Sequence, residues 1–114
     1  MEVIEKEIGN VLICSIKGQI LLCTEEECRK YFEKLSEEKS RTSVIINMSG
    51  VGYVNNAGVG MIVKSFRKFR ENGGRLVLCS LTPEVAKLFE IIRLTELIEI
   101  YPDEESAIKS IQAK

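Results

Sequence analysis

The chain has 114 residues, the length of one domain and too short for two. Hydrophobic residues at 45% and charged residues at 29% make a folded globule and exclude intrinsic disorder. Its 16 basic and 17 acidic residues leave a formal net charge of −1, so no basic excess exists to neutralise a run of phosphates and nucleic acid is not an expected partner.

In chain order, Val3, Ile4 and Ile8 mark a first strand and Val11–Ile16 a second, joined by a hairpin turn at Gly9-Asn10. Gly18 then turns the chain toward Gln19-Ile20-Leu21-Leu22. Thr24-Glu25-Glu26-Glu27 reads as a capping box, and behind it Cys28, Tyr31, Phe32 and Leu35 repeat at helical spacing. The near-continuous apolar run from Val44 to Met48 fits a central parallel strand covered on both faces. A loop from Ser49 to Asn56 leads into a helix from Ala57 to about Glu71. Met61, Ile62, Phe66 and Phe69 form its inner side, and Asn72-Gly73-Gly74 ends it. On its outer side Lys64, Arg67, Lys68, Arg70 and Glu71 read as a solvated face, with a basic docking face as the sharper alternative.

Arg75–Cys79 reads as another buried strand. Thr82-Pro83-Glu84 opens a third helix, threonine capping and proline in the first turn, with Val85, Leu88, Phe89 and Ile92 facing inward. Leu97–Tyr101 is expected as a short strand, and Asp103 as the cap of a last helix carrying Ala107, Ile108 and Ile111. Strands alternating with helices imply right-handed parallel βαβ units, and the first hairpin makes the sheet mixed. The expected fold is a single α/β domain over residues 1–114, with a mixed, mostly parallel sheet of about five strands and about four helices.

The sequence contains no histidine. That removes the commonest general base, the commonest metal ligand and any Ser-His or Cys-His pair. Of the four cysteines, Cys14 and Cys79 lie in apolar strand runs, where a thiol packs as a small hydrophobe. Cys23 and Cys28 lack the CxxC spacing, and no second pair completes a zinc site. All four read as structural. The expectation is therefore a protein with no catalytic residue, no cofactor and no metal. No apolar stretch approaches the roughly 20 residues that span a bilayer. The acidic, alternating start at Met1–Glu7 is unlike a secretory signal. A cytoplasmic location without direct membrane insertion is expected.

One segment stands out, Asn47-Met48-Ser49-Gly50-Val51-Gly52-Tyr53-Val54-Asn55-Asn56-Ala57-Gly58-Val59-Gly60. A buried strand ends there, a loop crosses its carboxyl end, and a helix begins with two glycines in its opening residues. Each glycine costs a helix about 1 kcal/mol relative to alanine. The glycines at 50 and 52 do not complete a dinucleotide fingerprint, and no GKS or GKT triplet exists, so a phosphate loop of the familiar kinds is not expected. Asn55 and Asn56 can serve as loop or capping residues.

This segment resembles the signature of the STAS family, in which a strand ending in Asp or Asn-Leu is followed by Asp-Ser-Ser-Gly-Leu-Gly. Gly18 with its apolar pair, Gly73–Cys79, and Thr82–Phe89 with Leu94 resemble flanking family segments, so the likeness runs from about Val3 to Ile111. The resemblance implies an anti-sigma factor antagonist: a module that captures a serine-kinase anti-sigma factor or a related regulator. Its partner surface would comprise Leu21, Leu22, Asn55, Asn56, Ala57, Gly58 and Val59. The family's phosphorylated serine falls at Ala57, which has no hydroxyl, and Asn55 and Asn56 replace its aspartate and first serine. Leu21 replaces an aspartate. The resemblance then implies binding without the usual serine switch. Its alternative is a non-switching STAS subunit of a stress-signalling assembly or of a lipid or anion transporter.

Overall fold

A computed structural model describes residues 1–18, 20–21 and 26–112, with backbone alone at 20–21. Strand β1 (Glu2–Ile8) and strand β2 (Val11–Lys17) form the expected antiparallel hairpin. Gly9 sits at φ +60° in its turn, the left-handed region that glycine enters without penalty. Then follow β3 (Ile20–Leu21), α1 (Glu26–Lys39), β4 (Ser43–Gly50), β5 (Tyr53–Val54) and α2 (Asn56–Glu71). The chain continues through β6 (Arg75–Cys79), α3 (Pro83–Ile91), a 3₁₀ turn at Leu94–Glu96, β7 (Ile100–Tyr101) and α4 (Glu104–Gln112).

The main sheet has five strands in the order β1-β2-β4-β6-β7, all parallel except the β1–β2 pair. Strand β4 is central, as its apolar run requires. Val44, Ile46 and Met48 face one layer while Ile45 faces the other, and all four are essentially inaccessible. The first layer holds Phe32 and Leu35 of α1, Ile62 and Phe69 of α2, and Val85 and Phe89 of α3. The second is thinner. There α4 lays Ala107, Ile108 and Ile111 over Val11, Ile13, Ile45 and Val77. Three helices thus cover one face and one covers the other.

Several expectations need correction. β3 and β5 were not anticipated as strands: they pair with each other as a separate two-stranded parallel ladder, Ile20 with Tyr53 and Leu21 with Val54. Two residues per strand is too short to give a periodic signal. The strand expected over Leu97–Tyr101 shrinks to Ile100–Tyr101, because the 3₁₀ turn takes up the preceding chain. Ile92 is exposed, not inward, since α3 ends at Ile91 and Ile92 sits at its C-cap. Thr82 occupies the N-cap of α3, yet its side chain makes no capping bond. Its hydroxyl donates instead to the carbonyl of Val51 at 3.1 Å. Of the cysteines, all expected to be structural, Cys28 is disulfide-bonded, and Cys14 and Cys79 are free and buried. The capping box at Thr24 lies outside the described residues.

Candidate protein-binding site

The loop that leaves β4 is held at several points. Gly50 approaches β2 closely: a Cβ there would lie 2.8 Å from the carbonyl oxygen of Ile16. Any side chain would push the two strand ends apart, so glycine is required. The Gly18 amide donates to the Gly50 carbonyl at 3.2 Å, and the Val51 amide to the Met48 carbonyl at 3.0 Å. Val51 and Val54 are buried in the main core, anchoring the loop from below. The Thr82 hydroxyl ties Val51 to the start of α3. Tyr53, between the two buried valines, is 53% exposed.

At the end of this loop Asn55 has extended backbone, and its side-chain oxygen accepts from the Gly58 amide at 2.8 Å. Its carbonyl accepts from the Val59 amide at 3.0 Å, the first helical bond of α2. Asparagine is among the best N-caps because its oxygen satisfies a helix-start amide that has no partner within the helix. The cap fixes where α2 begins. It places Asn56 at the exposed first position, Ala57 half-buried after it, and Gly58 buried.

The expected site residues therefore divide. Asn55, Asn56 and Ala57 come together at the carboxyl end of β4. Gly58 faces inward, where its amide serves the cap, and Val59 is half-buried against the core. The β3–β5 ladder sets the backbone of Leu21 beside Val54, one residue before the cap. Leu22 lies outside the described residues. Tyr53 was missed by the sequence reading. It shares the loop with Asn55 and offers a large exposed aromatic face, the kind of side chain enriched at protein interfaces. Two strand residues give no periodic pattern from which its exposure could be read.

Behind the site, Asn47 reaches through the other sheet face. Its side-chain amide donates to Glu104 and its oxygen accepts from the Ser49 amide at 2.9 Å. The Asn47 hydrogen bond, with Lys6 alongside, holds the Glu104 carboxyl below its ordinary pKa. This pair links the end of β4 to the first turn of α4. Among the described residues, no helix is long and apolar enough to cross a membrane. Among the described residues, no cluster of three acidic, histidine or cysteine side chains is placed to hold a metal ion.

The chain is thus an open α/β sheet whose central strand leads into a capped, glycine-containing helix start. The family model described as "STAS domain" matches residues 2–107, and the chain belongs to that family. It is 20% identical over 102 residues to an anti-sigma F factor antagonist of Paenibacillus polymyxa, covering 90% of this chain and 87% of the relative. It is 28% identical over 100 residues to an anti-sigma-B factor antagonist of Listeria monocytogenes, covering 88% and 86%. Among solved structures, an anti-sigma-factor antagonist (STAS) domain protein from Planctomyces limnophilus superposes with a TM-score of 0.85 at 19% identity, over 96% of this chain and 97% of that one. A sulfate transporter family protein from Wolinella succinogenes superposes with a TM-score of 0.80 at 13% identity, over 93% and 88%. The STAS fold expected from the sequence is the fold observed.

Proposed function

We propose that this chain is a protein-binding regulator of the anti-sigma factor antagonist kind, which captures a serine-kinase anti-sigma factor or a related regulator without a serine switch at residue 57. What carries the reading is the start of α2. Asn55 caps the helix and Asn56 and Ala57 stand at the carboxyl end of the central strand, where open α/β sheets meet ligands and partners. The names of the curated relatives support the role. Tyr53 joins the proposed surface as its aromatic anchor, and the backbone near Leu21 borders it.

Phosphorylation acts by adding about 1.5–2 negative charges where a partner must dock. Alanine offers no oxygen to receive the phosphoryl group, so the binding-competent form is permanent and control passes to the supply of chain or partner. The test incubates the protein with a cognate anti-sigma kinase and ATP and follows intact mass and co-elution. The expected result is a complex with no mass increase. A stoichiometric gain of one phosphate, mapped to Ser49 or Ser65, overturns the permanent form.

The transporter-family neighbour supports a second reading. In it the chain is a non-switching subunit of a transporter or assembly. Co-purification with a membrane ATPase or a large multimer, and no capture of a kinase, would select it.

A further inference from the structure

Strand β1 ends the main sheet, and among the described residues no strand pairs with its outer side. A long open edge of this kind is a template for another strand. Glu5 reaches Tyr31 of α1 and Lys6 reaches Glu104 of α4, so odd positions face the α1 layer and even positions the α4 layer. Neither layer overhangs the edge: Glu2, Ile4, Glu5, Lys6, Glu7 and Ile8 are all exposed. Of the six large hydrophobic side chains exposed among the described residues, Met1, Ile4 and Ile8 lie on or beside this strand, with Ile4 50% exposed.

The hairpin decides which backbone groups face outward. Ile8 and Val11 close a two-residue turn at Gly9-Asn10, the arrangement in which the closing pair exchanges hydrogen bonds. Bonded and non-bonded pairs alternate along an antiparallel ladder. Glu2, Ile4, Lys6 and Ile8 therefore turn their N–H and C=O groups toward β2, while Val3, Glu5 and Glu7 turn theirs outward.

The geometry points to a second copy of this chain as the occupant of that edge, joined by antiparallel pairing of β1 with β1 about a two-fold axis at Ile4. An axis through the sheet keeps the α1 layers of both copies on one side, so odd positions meet odd and even positions meet even. Centred on Ile4, the pairing sets Ile4 against its own copy, Val3 against Glu5, and Glu2 against Lys6 on each side of the axis. Among the described residues Glu2 makes no ion pair. The Lys6 side chain is 56% exposed beside Glu104, and its ammonium keeps hydrogens for a second carboxylate. Val3 and Glu5 supply the outward backbone groups that bond across the axis. No other centre does this. Centring on Glu5, Lys6 or Glu7 sets a charge against its own copy, which is unfavourable. Centring on Val3 leaves only Glu2 to Ile4 of the strand paired. The charges that guard this edge against foreign strands thus select one register with itself. The antiparallel pairing points the carboxyl ends of the two central strands opposite ways, so this interface and the proposed partner surface at α2 can fail separately.

The test measures self-association of the whole chain by sedimentation equilibrium, from micromolar to millimolar concentration. The expected result is a reversible equilibrium between monomer and dimer. Glu2→Lys and Lys6→Glu should each weaken it about tenfold or more, because each sets like charges face to face. Mixed in equal amounts, the two variants should associate again, since every charge then meets its opposite across the axis. Should Lys6→Glu loosen α4 through Glu104, cysteine variants read the register independently. Ile4→Cys should give a disulfide-linked dimer under mild oxidation by glutathione disulfide, its two Cα atoms lying about 4.5 Å apart in a non-bonded pair. Glu5→Cys should not, because position 5 faces Val3 and not itself. A chain that stays monomeric throughout overturns the proposal and leaves the edge to a strand of another protein. A dimer indifferent to both charge reversals, or one linked through Glu5→Cys in preference to Ile4→Cys, overturns the pairing at Ile4.

Discussion

The side-chain oxygen of Asn55 accepts the Gly58 amide hydrogen at 2.8 Å, and this contact joins the stability of α2 to the presentation of the proposed partner surface. Removing it with Asn55→Ala should destabilise the protein by about 1 kcal/mol, the usual value of an N-cap. Asn55→Asp keeps the acceptor and adds a negative charge where the helix dipole is positive, for a gain of about 0.3–1 kcal/mol. Urea unfolding midpoints of the two variants should therefore lie on opposite sides of wild type. Equal midpoints would mean that the cap does not hold the helix start.

Asn56 is the cleaner probe of partner capture. It is exposed, whereas Val59 packs partly against the core. A charge at Val59 would perturb folding and binding together. Asn56→Glu should leave stability within about 0.5 kcal/mol, as surface substitutions do. In a pull-down with the regulator it should reduce capture at least tenfold. Tyr53→Ala should reduce capture as well, since exposed aromatic anchors dominate interfaces. Capture undiminished in both variants would remove the surface.

Much of this was readable from sequence because the signals were local and periodic. The run Val44–Met48 declared a doubly covered strand, and the Phe32 and Phe69 spacings declared inner helix faces. Residue type pointed to a cap at Asn55 or Asn56 without choosing between them, and the fold places it at Asn55. What escaped were contacts set by distant partners. Thr82 looks like a cap because its neighbours are Pro83 and Glu84, but tertiary folding brings Val51 within reach and its hydroxyl goes there. The β3–β5 ladder depends on two short segments more than thirty positions apart, and neither has a pattern of its own. The unpartnered hydroxyl of Ser65 arises only once α1 and α2 pack together.

The two glycines bounding the exposed stretch of α2 should respond oppositely to alanine. At Gly60 an added Cβ meets nothing within 4 Å, so Gly60→Ala should stabilise by about 0.5–1 kcal/mol through helix propensity. At Gly74 the same Cβ would lie 2.2 Å from the Ser40 carbonyl oxygen and 2.6 Å from that of Thr42. Both contacts are backbone and cannot yield cheaply. Gly74→Ala should therefore lower the melting temperature and Gly60→Ala should raise it by a few degrees, read by calorimetry. A destabilised Gly60→Ala would show that the open space is illusory.

Cys14 makes stability fall in alkali. Burial pushes its thiol from 9.0 up to about 11, with the Tyr31 hydrogen bond opposing and the Glu5 charge reinforcing the rise. The folded state favours the neutral thiol, so this contribution is complete below about pH 9 and is lost as pH rises through about 11. Two pKa units correspond to roughly 2–3 kcal/mol. Unfolding midpoints of wild type and Cys14→Ala should converge between pH 8 and pH 11, the variant starting lower because of its small cavity. Parallel curves would assign the alkaline loss to other groups.

Ala57→Ser should restore a phospho-switch only in part. Residue 57 is the second position of α2, two residues beyond the Asn55 cap, and it is half-buried. A kinase must bring the new hydroxyl in line with the γ-phosphate, which requires the loop to present it outward. Asn55 holds that loop in place through its bond to Gly58, and Val51 and Val54 anchor it in the core. The serine would therefore be phosphorylated slowly. Once formed, the phosphoserine would sit near the positive end of the helix dipole, so the modified chain should remain folded. Its added charge would act on the partner instead, by repulsion and by the cost of desolvating phosphate in the interface. Intact mass after incubation with kinase and ATP should show incomplete conversion of Ala57→Ser and none of wild type. The phosphorylated fraction, separated by ion exchange, should keep the wild-type melting temperature and lose partner capture at least tenfold. Should that fraction bind as tightly as the unmodified chain, residue 57 is not in the interface, and the proposed surface falls with it.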